Sequence, residues 1–134
     1  MILMNKVAKL VIVYGNGKYL LLYRDKHRIF GNDPDLPGGA MEPGEQLINT
    51  MIREIYEEIG LKINMNEVRQ IYQGFDYNHH GAKHVLYIYE LSIHPKIVLS
   101  AEHASYDWVS RDVFLEKAKD AKDDYMHMVY SELI

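Results

Sequence analysis

The segment from Gly44 to Ile59 constrains the fold most strongly, because its apolar residues recur at helical spacing. On a helical wheel of about 100° per residue, four isoleucines fall within roughly 40° of one another: Ile48, Ile52, Ile55 and Ile59. Three glutamates lie at roughly 180°, 240° and 280° on the same wheel: Glu57, Glu54 and Glu58. The sequence therefore predicts an amphipathic helix that ends near Gly60, with its isoleucines against a core and its carboxylates on a face turned away from that core.

Segments rich in β-branched and aromatic residues lie on both sides of this helix. Val7–Tyr14 and Lys18–Tyr23 flank a glycine-rich turn and predict a β-hairpin. Further strands are predicted in three later segments: 63–74, 84–93 and 106–109. Residues 24–35 are polar and rich in turn formers, which predicts a loop. This order of elements indicates a mixed sheet.

Two shorter helices are predicted near the end of the sequence. Ser110 is placed to cap a helix over Arg111–Lys119, and Asp123 or Asp124 is placed to cap a last helix from Tyr125 onward. Helices combined with a mixed sheet indicate an α/β or α+β sandwich.

Length and composition limit the class of protein. The 134 residues fit a single domain. No apolar stretch approaches the ~20 residues of a membrane span, and the first residues lack the pattern of a secretory signal, so a cytoplasmic location is predicted. A net charge of −4 argues against a nucleic-acid partner. Because cysteine is absent, any metal must be held by oxygen or imidazole ligands.

The spacing of Glu54, Glu57 and Glu58 brings like charges together on one helix. A hard divalent cation such as Mg²⁺ or Mn²⁺ would offset their repulsion, since both prefer oxygen ligands. A solvated acidic face explains the same spacing, and for the spacing alone it is the simpler interpretation.

The 23 residues from Gly39 to Leu61 favour the metal site. They resemble the Nudix box, which is a glycine, five residues, a glutamate, seven residues, and then Arg-Glu-apolar-any-Glu-Glu-any-Gly-apolar. Every defined position is satisfied: Gly39, Glu45, Arg53, Glu54, Ile55, Glu57, Glu58, Gly60 and Leu61. The chain is thus identified as similar to MutT-like Nudix hydrolases. The resemblance implies an α/β fold, an α/β/α sandwich with a mixed central sheet, formed as one domain over residues 1–134.

The resemblance also implies roles for the box residues. The metal ligands would be three glutamates and one backbone carbonyl: Glu54, Glu57, Glu58 and Gly39. Glu45 and Arg53 would form an ion pair that orients the loop against the helix, although an ordinary surface salt bridge is the alternative. Arg53 thereby belongs to the implied catalytic set, and Gly38 would support the site from the preceding Leu-Pro-Gly.

The implied reaction is attack of water on phosphorus, aided by the cation, with a carboxylate accepting the proton. Glu102 is the first candidate for this base outside the box, because it precedes the predicted strand that ends at Trp108-Val109 and resembles the acidic residue that many relatives place in a loop there. Glu54 is the second candidate. A solvated loop glutamate is the alternative for Glu102.

Substrate choice depends on fewer residues. Tyr77 is similar in position to a tyrosine of relatives that cleave dinucleoside polyphosphates, although a packed strand tyrosine is an equal alternative. Arg24, in the loop before the box, is a candidate phosphate contact. Three histidines match no compact zinc motif, and contacts with a base or phosphate are favoured for them: His79, His80 and His84.

The predicted function is that of a Mg²⁺-dependent pyrophosphohydrolase. Its substrate would be a small-molecule nucleotide, either a nucleoside triphosphate or another nucleoside diphosphate linked to a second moiety. A dinucleoside polyphosphate hydrolase and a non-catalytic nucleotide-binding module are the alternatives. Hydrolysis of RNA ends ranks lower, because the chain lacks a basic flank. A homodimer stays open, since many relatives pair.

Overall fold

The computed structural model describes residues 6–24, 33–75 and 83–134, and in it seven strands form one mixed sheet. The strands are β1 (Lys6–Tyr14), β2 (Lys18–Tyr23), β3 (Pro34–Asp35), β4 (Gly38–Ala40), β5 (Arg69–Phe75), β6 (Lys83–Leu91) and β7 (Ser105–Ser110). The helices are α1 (Leu47–Ile59), α2 (Arg111–Asp120) and α3 (Asp124–Leu133), with a 3₁₀ turn over Met65–Glu67. No helix in these ranges is both long enough and apolar enough to span a bilayer.

Strand β1 is the centre of the sheet. It pairs in parallel with β6 along its whole length and antiparallel with two other strands. The two antiparallel partners divide its other edge, β4 at Val7–Lys9 and β2 at Val13 and Tyr14. Between them, the Leu10 N–H donates to the carbonyl of Pro37 at 3.0 Å. The chain that enters β4 is therefore held in the sheet where β1 and β2 diverge.

Alternating side chains of the sheet build two separate apolar layers, as expected for strands covered on both faces. One layer lies between the sheet and α1 and includes Ala8, Leu10, Ile12, Met51, Ile55 and Ile59. The other lies between the sheet and the pair α2 and α3 and includes Val11, Leu21, Leu86, Phe114, Tyr125 and Val129. The molecule is thus a three-layer α/β/α sandwich.

The local patterns located most elements correctly. The hairpin β1–β2 is present, and the isoleucine stripe of α1 packs on the sheet with Ile55 and Ile59 buried and Ile48 and Ile52 partly buried. Helix α1 ends at Gly60, where φ is 73°. Ser110 caps α2 by accepting from the Val113 N–H at 3.3 Å. Asp123 caps α3 by accepting from the Tyr125 N–H at 3.4 Å.

Several boundaries differ from the prediction. The strand predicted within 63–74 begins at Arg69, after the 3₁₀ turn, and β6 ends at Leu91. Helix α1 begins at Leu47 and not at Gly44, because the Glu45 N–H closes a turn onto the Glu42 carbonyl and Gly44 has a φ of 83°, which a right-handed helix excludes. The predicted loop over residues 24–35 is wrong at its end, where β3 pairs with Leu22 and Tyr23 of β2. This pairing depends on tertiary structure that turn residues do not report.

Candidate functional site

Two glycines of β4 set the distance between the sheet and α1. A Cβ atom on Gly38 would lie 1.9 Å from the carbonyl oxygen of Ala8, and a Cβ atom on Gly39 would lie 2.6 Å from Cγ of Glu54. Neither position has space for a side chain. The backbone of β4 therefore lies directly against the carboxylate-bearing side of α1, and the roles implied for Gly38 and Gly39 at a metal site stay predictions.

The three glutamates of α1 occupy different environments. The side chain of Glu57 is 55% exposed, that of Glu54 is 24% exposed and that of Glu58 is 5% exposed. The prediction that all three share a face turned away from the core is wrong for Glu58. Its Oε1 accepts from the Gly38 N–H at 3.1 Å, and its Oε2 lies 3.8 Å from Nδ1 of His103. Segments from outside the helix cover this carboxylate.

Burial raises the pKa of Glu58 to about 7. The charges of Asp35 and Glu102 act in the same direction, and Lys9 and the Gly38 N–H oppose the shift. The pKa of Glu54 is also raised, first by burial and then by the charge of Glu57. The site therefore crowds negative charge in a partly dry place, where a cation would be strongly stabilised.

In the metal-free protein, we expect deprotonation of Glu58 to lower the free energy of unfolding as the pH rises from about 5 to about 8. The folded chain holds its proton more tightly than the unfolded chain, whose ordinary pKa is 4.5, so the free energy of unfolding falls as the pH rises through this window. At about 1.4 kcal/mol per pKa unit, the loss approaches about 3 kcal/mol. Urea denaturation in chelator across this range measures it.

The matched variant is Glu58→Gln, which cannot titrate. It should lack this component of the pH dependence, while the remaining slope stays. An identical pH profile for the variant and the unaltered chain would show that Glu58 does not hold its proton in this window.

Asp35 is the centre of a buried polar cluster that the sequence analysis missed. Its carboxylate contacts Nζ of Lys9 at 3.1 Å, Nη2 of Arg24 at 2.5 Å and Nε2 of His103 at 2.9 Å, and it accepts a hydrogen bond from the hydroxyl of Tyr125. Burial alone would raise the pKa of Asp35, but Lys9, His103 and Arg24 outweigh it and hold this pKa well below its usual range. The one available signal was Lys9, a charged residue inside an apolar strand.

His103 joins this cluster to the glutamates. Its side chain is 1% exposed, Nε2 faces Asp35 and Nδ1 faces Glu58. One ligand atom each from Glu58, Glu102 and His103 lies within 4.8 Å of the others. Carboxylate oxygens and an imidazole nitrogen at such spacing form a donor set that can hold a divalent cation.

Arg53 contacts three of the carboxylates around the site. Its guanidinium donates to both oxygens of Glu45, at 3.0 and 3.3 Å, so the predicted ion pair is present and is bidentate. Nη1 also donates to Glu57 at 3.2 Å and to Glu54 at 3.3 Å. The hydrogen bond from Arg53 lowers the pKa of Glu45. Arg53 thus links the loop before α1 to two glutamates of the helix.

The remaining candidates lie elsewhere. Arg24 is ion-paired with Asp35 at the side of the buried cluster, and its contact with a substrate phosphate stays a prediction. Tyr77, His79 and His80 lie outside the described residues. His84 is buried in β6 and stacks on Tyr125 with ring centroids 5.3 Å apart, so it is a core residue and not a ligand contact, contrary to expectation.

The sequence is similar to those of known proteins. A family profile described as NUDIX domain matches residues 4–129. The nucleoside triphosphatase NudI of Enterobacter sp. (strain 638) is 39% identical over 59 residues, which are 43% of this chain and 42% of that protein. Nudix hydrolase 3 of Caenorhabditis elegans is 38% identical over 66 residues, which are 48% of this chain and 28% of that protein. The matched segment thus spans less than half of either relative.

Solved structures share the fold over almost the whole chain. A MutT/nudix family protein from Enterococcus faecalis superposes with a TM-score of 0.78 at 19% identity, covering 98% of this chain and 61% of that one. A C. elegans Ap4A hydrolase superposes with a TM-score of 0.68 at 26% identity, covering 96% and 91%. Together with the layers described above, these likenesses confirm the predicted α/β/α sandwich.

Proposed function

This chain belongs to the Nudix family, whose profile matches residues 4–129, and from that premise we propose that it hydrolyses a diphosphate bond in a nucleotide. The proposed substrate is a nucleoside triphosphate or another nucleoside diphosphate linked to a second moiety. The observation that carries the proposal is the convergence of Glu58, Glu102 and His103 within 4.8 Å, beside the remaining glutamates of α1. Such a donor set suits a cation that can also bind diphosphate oxygens.

The residues present fit a divalent cation. Two carboxylates, Glu54 and Glu58, have raised pKa values for which burial is the first cause, and Nδ1 of His103 is buried beside Glu58 without a hydrogen-bond partner among the described residues. We propose that Glu54, Glu57 and Glu58 hold Mg²⁺, with Mn²⁺ as a substitute, and that the carbonyl of Gly39 assists. When bound, the cation supplies Lewis acidity toward water and toward the diphosphate oxygens.

The chain's own groups would do the rest of the work. Glu102 is exposed at the rim of the site, and its charge contributes to the raised pKa values of Glu54 and Glu58, so its carboxylate lies near both. We assign to Glu102 the acceptance of the proton from the attacking water, with Glu54 as the second candidate. Arg53 would hold Glu54 and Glu57 in orientation through its hydrogen bonds.

The variant Glu102→Gln should lower kcat by about 10²- to 10⁴-fold, the range of a general base, with little change in KM. The glutamine keeps the size of the side chain but cannot accept the proton. Initial rates at saturating Mg²⁺ measure the effect. An unchanged kcat would move the base role to another carboxylate.

The proposed function is tested by a panel of nucleoside triphosphates, oxidised nucleotides, dinucleoside polyphosphates and nucleotide sugars, assayed for released phosphate and pyrophosphate with Mg²⁺ and with chelator. Turnover of one class that chelator abolishes is the expected result. Binding of a nucleotide without turnover would replace the proposal with a non-catalytic binding role. A lack of both binding and turnover across the whole panel would contradict the proposal.

A dinucleoside polyphosphate is the second candidate substrate. The supporting observation is the 26% identity to the C. elegans Ap4A hydrolase over 96% of this chain. Tyr77 is the residue proposed to serve this substrate. The panel separates the two candidates. If the dinucleoside polyphosphate is the substrate, asymmetric cleavage of a dinucleoside tetraphosphate should release two different mononucleotides, and nucleoside triphosphates should be poor substrates.

A further inference from the structure

We propose that Nδ1 of His103 is itself a ligand of the catalytic cation, so that the site is a mixed nitrogen and oxygen centre. This inference rests on the metal site of the proposed function and adds a ligand from outside the Nudix box. It follows from the orientation of one buried ring, from the partner that fixes this ring and from the atoms that its second nitrogen faces.

When the His103 ring is neutral, Nε2 carries its hydrogen. Nε2 of His103 lies 2.9 Å from Oδ2 of Asp35. Both oxygens of Asp35 also contact cationic side chains, Lys9 at 3.1 Å and Arg24 at 2.5 Å, so this carboxylate is an acceptor and Nε2 is the donor. In the neutral ring, Nδ1 therefore presents its lone pair. A histidine that binds a metal usually donates its other ring N–H to a carboxylate in this way.

Nδ1 of His103 is buried and has no hydrogen-bond partner among the residues that the structure describes. It lies 3.8 Å from Oε2 of Glu58, which is too long for a hydrogen bond. A lone pair that faces a charged carboxylate oxygen is unfavourable, and either a proton on Glu58 or a cation between the two atoms removes the repulsion. The separation is less than twice a metal–ligand bond of about 2.1 Å, so one cation can contact both atoms.

Two side chains bring further donor atoms close to the His103 ring. Oε1 of Glu58 accepts from the Gly38 N–H at 3.1 Å, and Oε2 of the same carboxylate lies 3.8 Å from Nδ1. A carboxylate oxygen of Glu102, the neighbour of His103 in sequence, lies within 4.8 Å of one ligand atom each of Glu58 and His103. Two carboxylate oxygens and an imidazole nitrogen thus converge from α1 and from the segment before β7.

A nitrogen ligand changes the preference among cations. Imidazole suits transition ions of the first row, whereas Mg²⁺ is bound mainly by oxygen. The chain is therefore expected to bind Mn²⁺ more tightly than Mg²⁺, by a margin that depends on His103. Removing the ring nitrogen should weaken Mn²⁺ binding by at least about 10- to 100-fold, the usual cost of removing only an outer-shell partner of such a ligand, and Mg²⁺ binding by less.

The test is electron spin echo envelope modulation of the full chain loaded with Mn²⁺, without substrate, together with Mn²⁺ and Mg²⁺ titrations by calorimetry. The unaltered chain should show coupling of Mn²⁺ to an imidazole nitrogen. His103→Gln should abolish this coupling, because its amide N–H can still donate to Asp35 but it places no nitrogen at Nδ1. His94→Gln is the control, since His94 is exposed and packs on Tyr14 and Trp108.

If His103→Gln does not fold, a second protein keeps the test decisive. It retains His103, replaces the three histidines that lie outside the described residues by His27→Gln, His79→Gln and His80→Gln, and is prepared with and without ¹⁵N-labelled histidine. The nitrogen coupling should persist and change with the isotope. Absence of coupling in this protein or in the unaltered chain overturns the inference, as does coupling that survives in a folded His103→Gln.

The experiments distinguish a failure of the His103 assignment from a failure of the proposed function. Mn²⁺ binding and chelator-sensitive turnover without nitrogen coupling would overturn the role of His103 and leave the proposed function standing. No binding of either cation and no turnover would overturn both.

Discussion

Asp35→Asn is expected to lower the free energy of unfolding by about 3–5 kcal/mol, the usual cost of removing one partner from a buried ion pair. The amide keeps the shape of the side chain but removes the negative charge that faces the ammonium group of Lys9. Lys9 is buried, with only 8% of its surface exposed. Lys9 would then be a buried cation whose nearest carboxylate is gone. Urea denaturation monitored by fluorescence and circular dichroism measures the loss.

Two further variants isolate the cause of this loss. Asp107→Asn makes the same chemical change at an exposed position of β7 and should alter stability by less than about 0.5 kcal/mol. Adding Lys9→Met to Asp35→Asn should restore part of the stability, because the unpaired cation is removed. If Asp35→Asn is as stable as the unaltered chain, the cluster does not depend on this charge.

Glu57→Gln is expected to lower metal-dependent turnover by at least about 100-fold and to leave the fold intact. The loss of one carboxylate weakens the site for a cation whose charge stabilisation is worth several kcal/mol, and each ~1.4 kcal/mol is a tenfold change in rate. The fold should persist, because the side chain is 55% exposed and its contact with Arg53 lies at the surface. Initial rates in Mg²⁺ and thermal unfolding measure the two quantities.

Glu116→Gln is the matched control, since Glu116 is exposed on α2, on the other side of the sheet from α1. It should retain full turnover and the same melting temperature. Near-normal rates for Glu57→Gln in Mg²⁺ would remove Glu57 from the metal site. A large fall in its melting temperature would instead assign it a structural role through Arg53.

Features encoded by neighbouring residues could be predicted from the sequence. The isoleucine stripe of α1, the turn between β1 and β2 and the cap at Ser110 each depend on residues a few positions apart. The ion pair between Glu45 and Arg53 was also expected, because both residues belong to one motif. Within such distances along the chain, backbone geometry determines which side chains meet.

Features that depend on distant segments were missed. The helical wheel turned Glu58 away from the core, because a wheel contains only its own helix and not Gly38 or His103, which cover this carboxylate. His103 meets Asp35 across 68 positions, and no spacing rule connects them. Asp35 itself lay in a predicted loop, and only Lys9 among its partners stood out from the pattern of its own strand.

The cluster around Asp35 also bears on the synthesis of the protein. Its partners come from β1, from the residue after β2, from the segment before β7 and from α3, and Tyr125 is 90 positions from Asp35. A chain that emerges from the ribosome with its N-terminal end first cannot complete this network until α3 has been made. Ribosome-bound chains that stop before α3 should therefore lack the hydrogen bond from Tyr125 to Asp35, so this cluster is completed only after α3 has emerged.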